Sequence, residues 1–239
     1  MPDNKTVYSH YADEYEALID REDYQGNILR TLEKIVPDLG QRVVLDLGAG
    51  TGRLTSLLAP RVRFVRAFDE SDAMLCVCRD KLSASGFVNW SADVADHRRL
   101  PVDDSSANLA VSGWSISYLA VWGDGDVSTL PTTSWREKLS TWLGEMKRVL
   151  TANSPIVLFE TLGTGQESPV RAPHLAEFYP WLDENGFENT FIRTDYKFES
   201  LAEAERLARF FFGDEMGDAV VKNNWLILPE CTGVWWRRV

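Results

Sequence analysis

Short apolar runs and amphipathic stretches alternate along most of the chain. Five apolar runs, residues 42–47, 62–69, 87–94, 107–117 and 155–163, have the length and composition of strands. Between them lie stretches whose apolar residues recur every three or four positions, which is the period of one helix face. We therefore predict strands and helices that alternate five times. This order builds a doubly wound, Rossmann-like α/β fold, whose mostly parallel sheet has helices on both faces.

The two ends of the chain complete this pattern. Residues 1–40 are predicted to be helical, because a stripe of large residues follows the helical period. The stripe consists of Tyr8, Tyr11, Tyr15 and Leu18. Near the other end, residues 188–198 alternate like a strand, residues 201–211 have a helical pattern, and residues 230–239 are predicted to form a last strand.

Composition and charge narrow the class of protein. The chain has 239 residues, of which 44% are hydrophobic and 26% charged, and no linker-like segment divides it, so we predict one domain. Its formal net charge of −11 argues against nucleic acid as a partner, since a phosphate backbone is bound by clustered Lys and Arg. The sequence lacks an apolar run long enough for a membrane span. Three cysteines without a framework spacing suggest the reducing cytoplasm, and we expect no metal site.

One turn concentrates the candidate chemistry. In "VVLDLGAGTGRLT", residues 43–55, a predicted buried strand ends at an acid and is followed by Gly48, Gly50 and Gly52. Glycines at these positions let a ligand approach the backbone closely. The spacing G-x-G-x-G differs from the G-x-G-x-x-G of dinucleotide sites, and the lysine of a phosphate-binding loop is absent.

Three acids at the ends of three successive strands indicate which nucleotide the turn holds. Asp46 is buried before the first glycine, where an α-ammonium group would satisfy it and a diphosphate would repel it. Asp69 ends the second strand, where a carboxylate suits a ribose diol. Asp93 ends the third strand, where a carboxylate can accept a hydrogen bond from an adenine amino group. Together they describe S-adenosylmethionine.

The same residues carry a family resemblance. The glycine stretch, "FDESDAMLCVCRDKL", "SADVADHRRLPVDDSSANLAVSGWSISYL" and "EMKRVLTANSPIVLFET" resemble the class I S-adenosylmethionine-dependent methyltransferases over roughly residues 41–160. The resemblance implies a seven-stranded sheet whose last strand, around Trp235, is antiparallel. It also implies a helical cap in residues 1–40, a cofactor-binding core in residues 41–160, and a substrate-side part in residues 161–239.

The resemblance also implies the cofactor site. Its residues are Asp46, Gly48, Ala49, Gly50 and Gly52 for the methionine part, Asp69 for the ribose, Glu70, Met74, Asp93 and Val94 near the adenine, and Ser112, Gly113 and Trp114 beside the sulfonium. Glu70 departs from the pattern, because the family usually has an apolar residue there.

Methyl transfer from a sulfonium is an in-line displacement that depends mainly on alignment, so the sequence demands no fixed catalytic residue. Candidates for a base are Tyr11, Glu160 and His174, and the candidate acceptor site adds Tyr15, Ser115 and Tyr118. Residues 122–134 contain turn residues without a period, and we expect this loop to contact or cover the substrate.

The sequence therefore predicts a methyltransferase for a small molecule, with S-adenosylhomocysteine as product. A methyltransferase for a protein and a non-catalytic, regulatory protein that binds S-adenosylmethionine remain alternatives. An enclosed, aromatic-lined pocket would favour a small substrate, and an open acidic groove would favour a protein. An oxidoreductase that uses a nicotinamide dinucleotide is less favoured, because it leaves Asp46 and Asp93 unexplained. The oligomeric state and the acceptor atom are not predicted.

Overall fold

Seven strands form the central sheet in a computed structural model of the chain, which describes residues 6, 8, 10–121 and 134–239. The strands, in chain order and including two outside this sheet, are β1 (Val43–Leu47), β2 (Phe64–Asp69), β3 (Trp90–Val94), β4 (Leu109–Gly113), β5 (Pro155–Thr164), β6 (Glu188–Arg193), β7 (Tyr196–Lys197), β8 (Ile227–Leu228) and β9 (Glu230–Arg238). The spatial order is β3-β2-β1-β4-β5-β9-β6. Strand β9 runs antiparallel to β5 and β6, while β1 to β5 pair in parallel, as predicted.

Helices cover both faces of this sheet. They are α1 (Ala12–Ile19), α2 (Asn27–Ile35), α3 (Arg53–Leu58), α4 (Asp72–Ser85), α5 (Tyr118–Val121), α6 (Ser134–Val149), α7 (Phe178–Glu184), α8 (Leu201–Phe212) and α9 (Asp214–Asn223), with short 3-10 turns at Leu39–Gln41 and Pro173–Leu175. Side chains alternate along β1, so that Val44 packs with α2, α3 and α4, whereas Leu45 and Leu47 pack with α6 and α7. The doubly wound architecture is thus confirmed.

A third apolar cluster lies outside the two sheet faces. It joins Leu18 of α1 to Tyr196, Leu207, Val220 and Leu228, which belong to β7, α8, α9 and β8. Strands β7 and β8 and helices α8 and α9 form an insertion between β6 and β9. The long strand predicted for residues 188–198 is wrong in one respect, because the chain leaves the main sheet after β6 and re-pairs as β7 with β8. Helix α9 was not predicted.

Candidate active site

The glycine turn places two backbone amides and a sharp bend at the carboxyl end of β1. Gly48, Gly50 and Gly52 all have positive φ, at 68°, 55° and 86°. The amides of Gly48 and Ala49 both bind the carbonyl of Phe68, at 2.8 and 3.0 Å, so the turn is fixed to β2. A Cβ atom on Gly48 would lie 1.9 Å from Ser115 Oγ, so this position has no room for a side chain.

Asp69 links the glycine turn to the start of α4. Its Oδ2 accepts the amide of Gly50 at 2.9 Å, and its Oδ1 accepts the amide of Ser71 at 2.8 Å. The carboxylate also lines the main cavity beside the turn. Two backbone donors therefore orient this acid at the carboxyl end of β2, where ligands of such sheets bind.

Asp46 is buried directly beneath the turn. Its Oδ2 accepts the hydroxyl of Thr55 at 2.5 Å, whereas its Oδ1 has no partner. Burial raises the pKa of this carboxyl to about 7, and the Thr55 hydrogen bond opposes the rise. Asp46 lines a small hollow between the turn and α1, together with Ala49, Arg53 and Tyr15. An unpartnered oxygen in a polar hollow is suited to a donor group of a ligand.

The main cavity has a volume of about 530 Å³ and joins the ends of β1, β2 and β4. Its lining contains acids, bases and aromatic rings from five parts of the chain. The lining residues are Tyr8, Tyr15, Gly48, Gly50, Asp69, Glu70, Ser71, Met74, His97, Arg98, Gly113, Trp114, Ser115, Tyr118, Leu119 and Lys138. The volume lies in the range typical of small-molecule sites.

The turn that follows β4, residues 114–118, forms one wall of this cavity. Trp114 has a φ of 51°, which is uncommon for a large side chain. The guanidinium of Arg53 lies 3.7 Å from the centre of its ring, and Phe159 stacks against it at 6.4 Å. Arg53 in turn forms a buried ion pair with Glu22. Packing and charge therefore hold a backbone conformation that local preference disfavours.

Tyrosine side chains from the N-terminal segment form the opposite wall. The rings of Tyr8 and Tyr15 meet edge to face at 5.5 Å, and the Tyr8 hydroxyl lies 2.8 Å from the Tyr118 hydroxyl. Ser71 Oγ donates to the Tyr8 carbonyl at 2.8 Å and fixes this segment to the end of β2. Burial raises the pKa of both Tyr8 and Tyr15, so these phenols are neutral at pH 7.

Several predicted site residues lie outside the lining of the main cavity. Asp93 and Val94 are exposed, Tyr11 is 39% exposed and contacts Phe210, and His174 is exposed. Ser112 is buried and donates to the Leu47 carbonyl, Gly52 faces the Cys78 thiol, and both oxygens of Glu160 bind Ser117. The predicted loop, residues 122–134, lies outside the described residues except for Ser134, the first residue of α6.

Other lining residues were not predicted: Ser71, His97, Arg98, Leu119 and Lys138. His97 is buried, and its pKa is lowered chiefly by desolvation, against the nearby carboxylate of Asp69. It follows β3 by three residues, and its imidazole approaches Gly48. The only sequence signal for His97 and Arg98 was their position in the loop after a predicted strand, and a basic pair in such a loop is commonly a solvated surface.

Comparison with known proteins supports the predicted family. Residues 44–153 match the family model described as a methyltransferase domain. This range starts in β1 and ends just before β5, and it contains the glycine turn and Asp69. The match agrees with the predicted class I S-adenosylmethionine-dependent methyltransferase family. Solved proteins of similar fold include an S-adenosylmethionine-dependent methyltransferase and a methyltransferase in complex with S-adenosylhomocysteine.

Two curated proteins are similar to part of this chain. Phosphoethanolamine N-methyltransferase 1 of Caenorhabditis elegans is 32% identical over 117 residues, which cover 49% of this chain and 22% of that protein. Malonyl-acyl-carrier-protein O-methyltransferase of Marinomonas sp. (strain MWYL1) is 34% identical over 98 residues, which cover 40% of this chain and 36% of that protein. The matched region is therefore about a fifth of the first relative and about a third of the second.

A solved structure extends the likeness to the whole fold. Phosphoethanolamine N-methyltransferase 2 of Haemonchus contortus, in complex with phosphomonomethylethanolamine and S-adenosylhomocysteine, superposes on this chain with a TM-score of 0.61. The match covers 98% of this chain and 58% of that chain at 15% identity, and a likeness at this identity concerns the fold alone.

Among the described residues, no helix has the length and apolar character that a membrane span needs, and no His, Cys, Asp and Glu cluster could hold a metal.

Proposed function

We propose that this methyltransferase binds S-adenosylmethionine in the main cavity and transfers its methyl group to a small-molecule acceptor. The observation that carries the proposal is the Asp69 carboxylate, which lines the cavity and is oriented by the amides of Gly50 and Ser71. An acid held in this way at the end of β2 suits the two hydroxyls of a ribose. The glycine turn lies directly beside it.

The neighbouring groups fit the remainder of the cofactor. The unpartnered Oδ1 of Asp46 suits the α-ammonium group of the methionine part, and the Arg53 guanidinium, which lines the same hollow, suits its carboxylate. Glu70, Met74 and Arg98 line the side where the adenine would lie. When bound, the cofactor supplies an electrophilic methyl group on a sulfonium.

The remaining walls support a small acceptor. Tyr8, Tyr15, Trp114 and Tyr118 line the cavity with aromatic rings, whereas a protein substrate would favour an open acidic groove. Lys138 also lines the cavity, and its ammonium group suits an acidic group. Phosphoethanolamine and malonyl-acyl-carrier-protein, the acceptors named for the two curated relatives, both carry an acidic group. We therefore propose a small acceptor with such a group.

Alignment is the main contribution of these residues to the reaction. The rigid turn, the neutral tyrosines and the covered walls hold the reactants together and exclude water. Where the acceptor must lose a proton, His97 is the group suited to accept it, because burial keeps its imidazole neutral in the cavity. The three candidates from the sequence, Tyr11, Glu160 and His174, do not line the cavity.

A regulatory protein that binds the cofactor without turnover is the alternative. The neutral imidazole of His97 in the cavity favours turnover, because binding alone requires no proton acceptor.

A location in the cytoplasm and a single domain with an N-terminal cap stay predictions.

Calorimetric titration with S-adenosylhomocysteine and, separately, with NADH tests the cofactor. We expect micromolar binding of the first compound alone, and at least about a tenfold loss in Asp69→Ala, because a charged hydrogen-bonding partner is removed. Asp103→Ala is the control, since it removes an exposed acid outside the cavity lining. Binding of NADH, or an equal loss in both variants, would overturn the proposal.

Turnover is tested with the same protein and radiolabelled S-adenosylmethionine. Small amines and carboxylic acids, each with and without a phosphate or second carboxylate, are offered as acceptors. We expect label transfer to acceptors that carry the acidic group, and Lys138→Ala should raise their KM. Cofactor binding without transfer to any acceptor would favour the regulatory alternative.

A further inference from the structure

Glu160 is buried in the sheet immediately beneath the 114–118 turn. Only 1% of its surface is exposed, and it lies one residue beyond Phe159, which pairs with Gly113 at the end of β4. On its other side, the backbone of Glu160 pairs with Gly233 of β9. The carboxylate therefore projects from a central strand that is bonded on both edges. This is a rigid base from which to support a neighbouring turn.

The Glu160 carboxylate accepts hydrogen bonds from that turn. Its Oε1 accepts the amide of Ser117 at 2.9 Å and its Oε2 accepts the Ser117 hydroxyl at 2.7 Å. The backbone amides of Ser115 and Ile116 also lower the pKa of this carboxyl. Ser117 immediately precedes α5, whose first three amides bond the carbonyls of residues 115–117. Glu160 therefore bonds the turn from which the helix starts.

The supported turn faces the cavity. Ser115 lies against Gly48, so its position fixes the clearance above the glycine turn. Tyr118 reaches the hydroxyl of Tyr8 across the cavity. Trp114, with its positive φ, begins the same turn. A displacement of the turn would therefore alter the glycine side and the tyrosine side of the cavity at once.

A charged group is a costly way to fill this position if packing alone is required. Desolvation of a buried carboxylate is strongly unfavourable, and it raises the pKa of Glu160 to about 7 against the hydrogen bonds of the turn. A carboxylate accepts one Ser117 donor on each of its two oxygens, whereas an amide of the same size has one oxygen and adds donors of its own. The choice of residue fits a need to orient the turn.

We propose that Glu160 is a positioning residue that fixes the 114–118 turn, and through it the relative placement of the cofactor and the acceptor. This inference rests on the proposed function for its catalytic meaning. It assigns Glu160 no contact with either reactant, because both oxygens are used by the turn. It also explains why an acid in the middle of β5 lies beside the cavity without lining it.

The test compares Glu160→Gln with Glu230→Gln. Glu230 is the matched control, because it is also a buried acid at the same end of the sheet, but it bonds Thr161 and not the turn. Amide hydrogen exchange of residues 112–121 is measured without ligand. We expect the amides of residues 115–117 to exchange at least about tenfold faster in Glu160→Gln, with no such change in Glu230→Gln.

Binding of S-adenosylhomocysteine supplies the second readout, which packing alone would not move. We expect Glu160→Gln to raise its dissociation constant by about three- to tenfold, and Glu160→Asp, which restores the charge on a shorter side chain, to recover part of the loss. Ser117→Ala removes one donor and keeps the acid, so it serves if the glutamine variant does not fold. It should accelerate exchange in the turn by a smaller factor.

Unchanged exchange in Glu160→Gln, or equal loosening of the turn in both glutamine variants, would overturn the proposal. The proposed function fails separately, through an absence of S-adenosylhomocysteine binding by the unaltered protein. In that case the exchange comparison still decides whether Glu160 holds the turn.

Discussion

The cofactor side and the acceptor side of the cavity are built in different ways. On the cofactor side, most groups come from two short segments, the glycine turn and residues 69–71, and backbone amides make the decisive contacts. On the acceptor side, Tyr8, Trp114, Tyr118 and Lys138 come from distant parts of the chain and contribute side chains. A site made by one local turn can be recognised from the spacing of its residues in the sequence, whereas a site assembled from separate elements cannot.

Support for the two sides differs in the same way. The glycine turn is held by hydrogen bonds to the neighbouring strand, which any sequence with the right backbone could make. The acceptor side rests on buried charges, namely the Glu22–Arg53 pair behind Trp114 and the Glu160 carboxylate beneath the turn. Buried charges are sensitive to the loss of one partner, so this side should respond more strongly to single substitutions.

The largest effect on stability is expected from the buried ion pair. Glu22→Gln leaves the guanidinium of Arg53 without its counter-charge, and we expect a loss of about 3–5 kcal/mol in the free energy of unfolding. Glu184→Gln breaks an exposed pair with Arg136 and should cost less than about 1 kcal/mol. Urea unfolding of both variants measures the difference. Similar losses would show that burial of the Glu22 pair does not matter.

A substitution on the cofactor side should have a smaller effect, and that effect should be mainly a loss of binding affinity. Gly48→Ala places a Cβ against Ser115 at a positive φ, and we expect affinity for S-adenosylhomocysteine to fall about a hundredfold, or about 2.7 kcal/mol. Gly86→Ala is the control, because its φ of 77° is also positive but its Cβ would meet no atom within 4 Å. It should cost only about 1–2 kcal/mol of stability and leave binding intact. Equal binding by both variants would contradict the close-approach argument.

The substitution with the smallest expected effect is Asp46→Asn, which should raise the stability of the protein and weaken its binding of the cofactor product. The pKa of Asp46 is raised to about 7 in the folded protein, so between about pH 4 and pH 7 the unfolded chain loses this proton while the folded protein keeps it. The folded state is therefore progressively destabilised as the pH rises through this window, and the full penalty is present at pH 8. Asp46→Asn cannot ionise and should be more stable than the unaltered protein at pH 8 by about 2 kcal/mol.

Unfolding measured at pH 5 and at pH 8 checks this sign. The advantage of Asp46→Asn should be larger at pH 8, and the variant should bind S-adenosylhomocysteine more weakly because the ammonium group loses its counter-charge. An advantage that does not grow with pH would mean that Asp46 is ionised throughout the range.

Sequence reasoning succeeded where spacing is local. The sheet with its antiparallel last strand followed from apolar periodicity together with the family resemblance. The placement of Asp46 and Asp69 at strand ends also followed from local order, whereas Trp114 was predicted inside the fourth strand and lies just after it. It was less accurate where an apolar pattern continued across a break: residues 188–198 alternate throughout, yet Thr194 and Asp195 separate β6 from β7 and the chain pairs with two different partners.

Side-chain direction limited the prediction of the site. Asp93 has the right position along the chain, but its side chain is exposed, and residues further along the same loop, His97 and Arg98, reach the cavity instead. Glu160 was a candidate base because the fifth strand was expected to end there, whereas β5 continues to Thr164 and both oxygens of Glu160 bond Ser117 of a neighbouring turn. Neither outcome can be obtained from residue type and order.

The sequence by itself determined the alternation of strands and helices, the glycine turn and the acids beside it, because these depend on hydrophobic periodicity and on backbone conformations that glycine permits. Only the tertiary structure decided that Tyr8 meets Tyr118, that Arg53 stacks on Trp114 beside Glu22, and that Glu160 supports the turn. These contacts join residues as many as 110 positions apart, and they depend on how the packed elements place side chains whose local sequence carries no record of their partners.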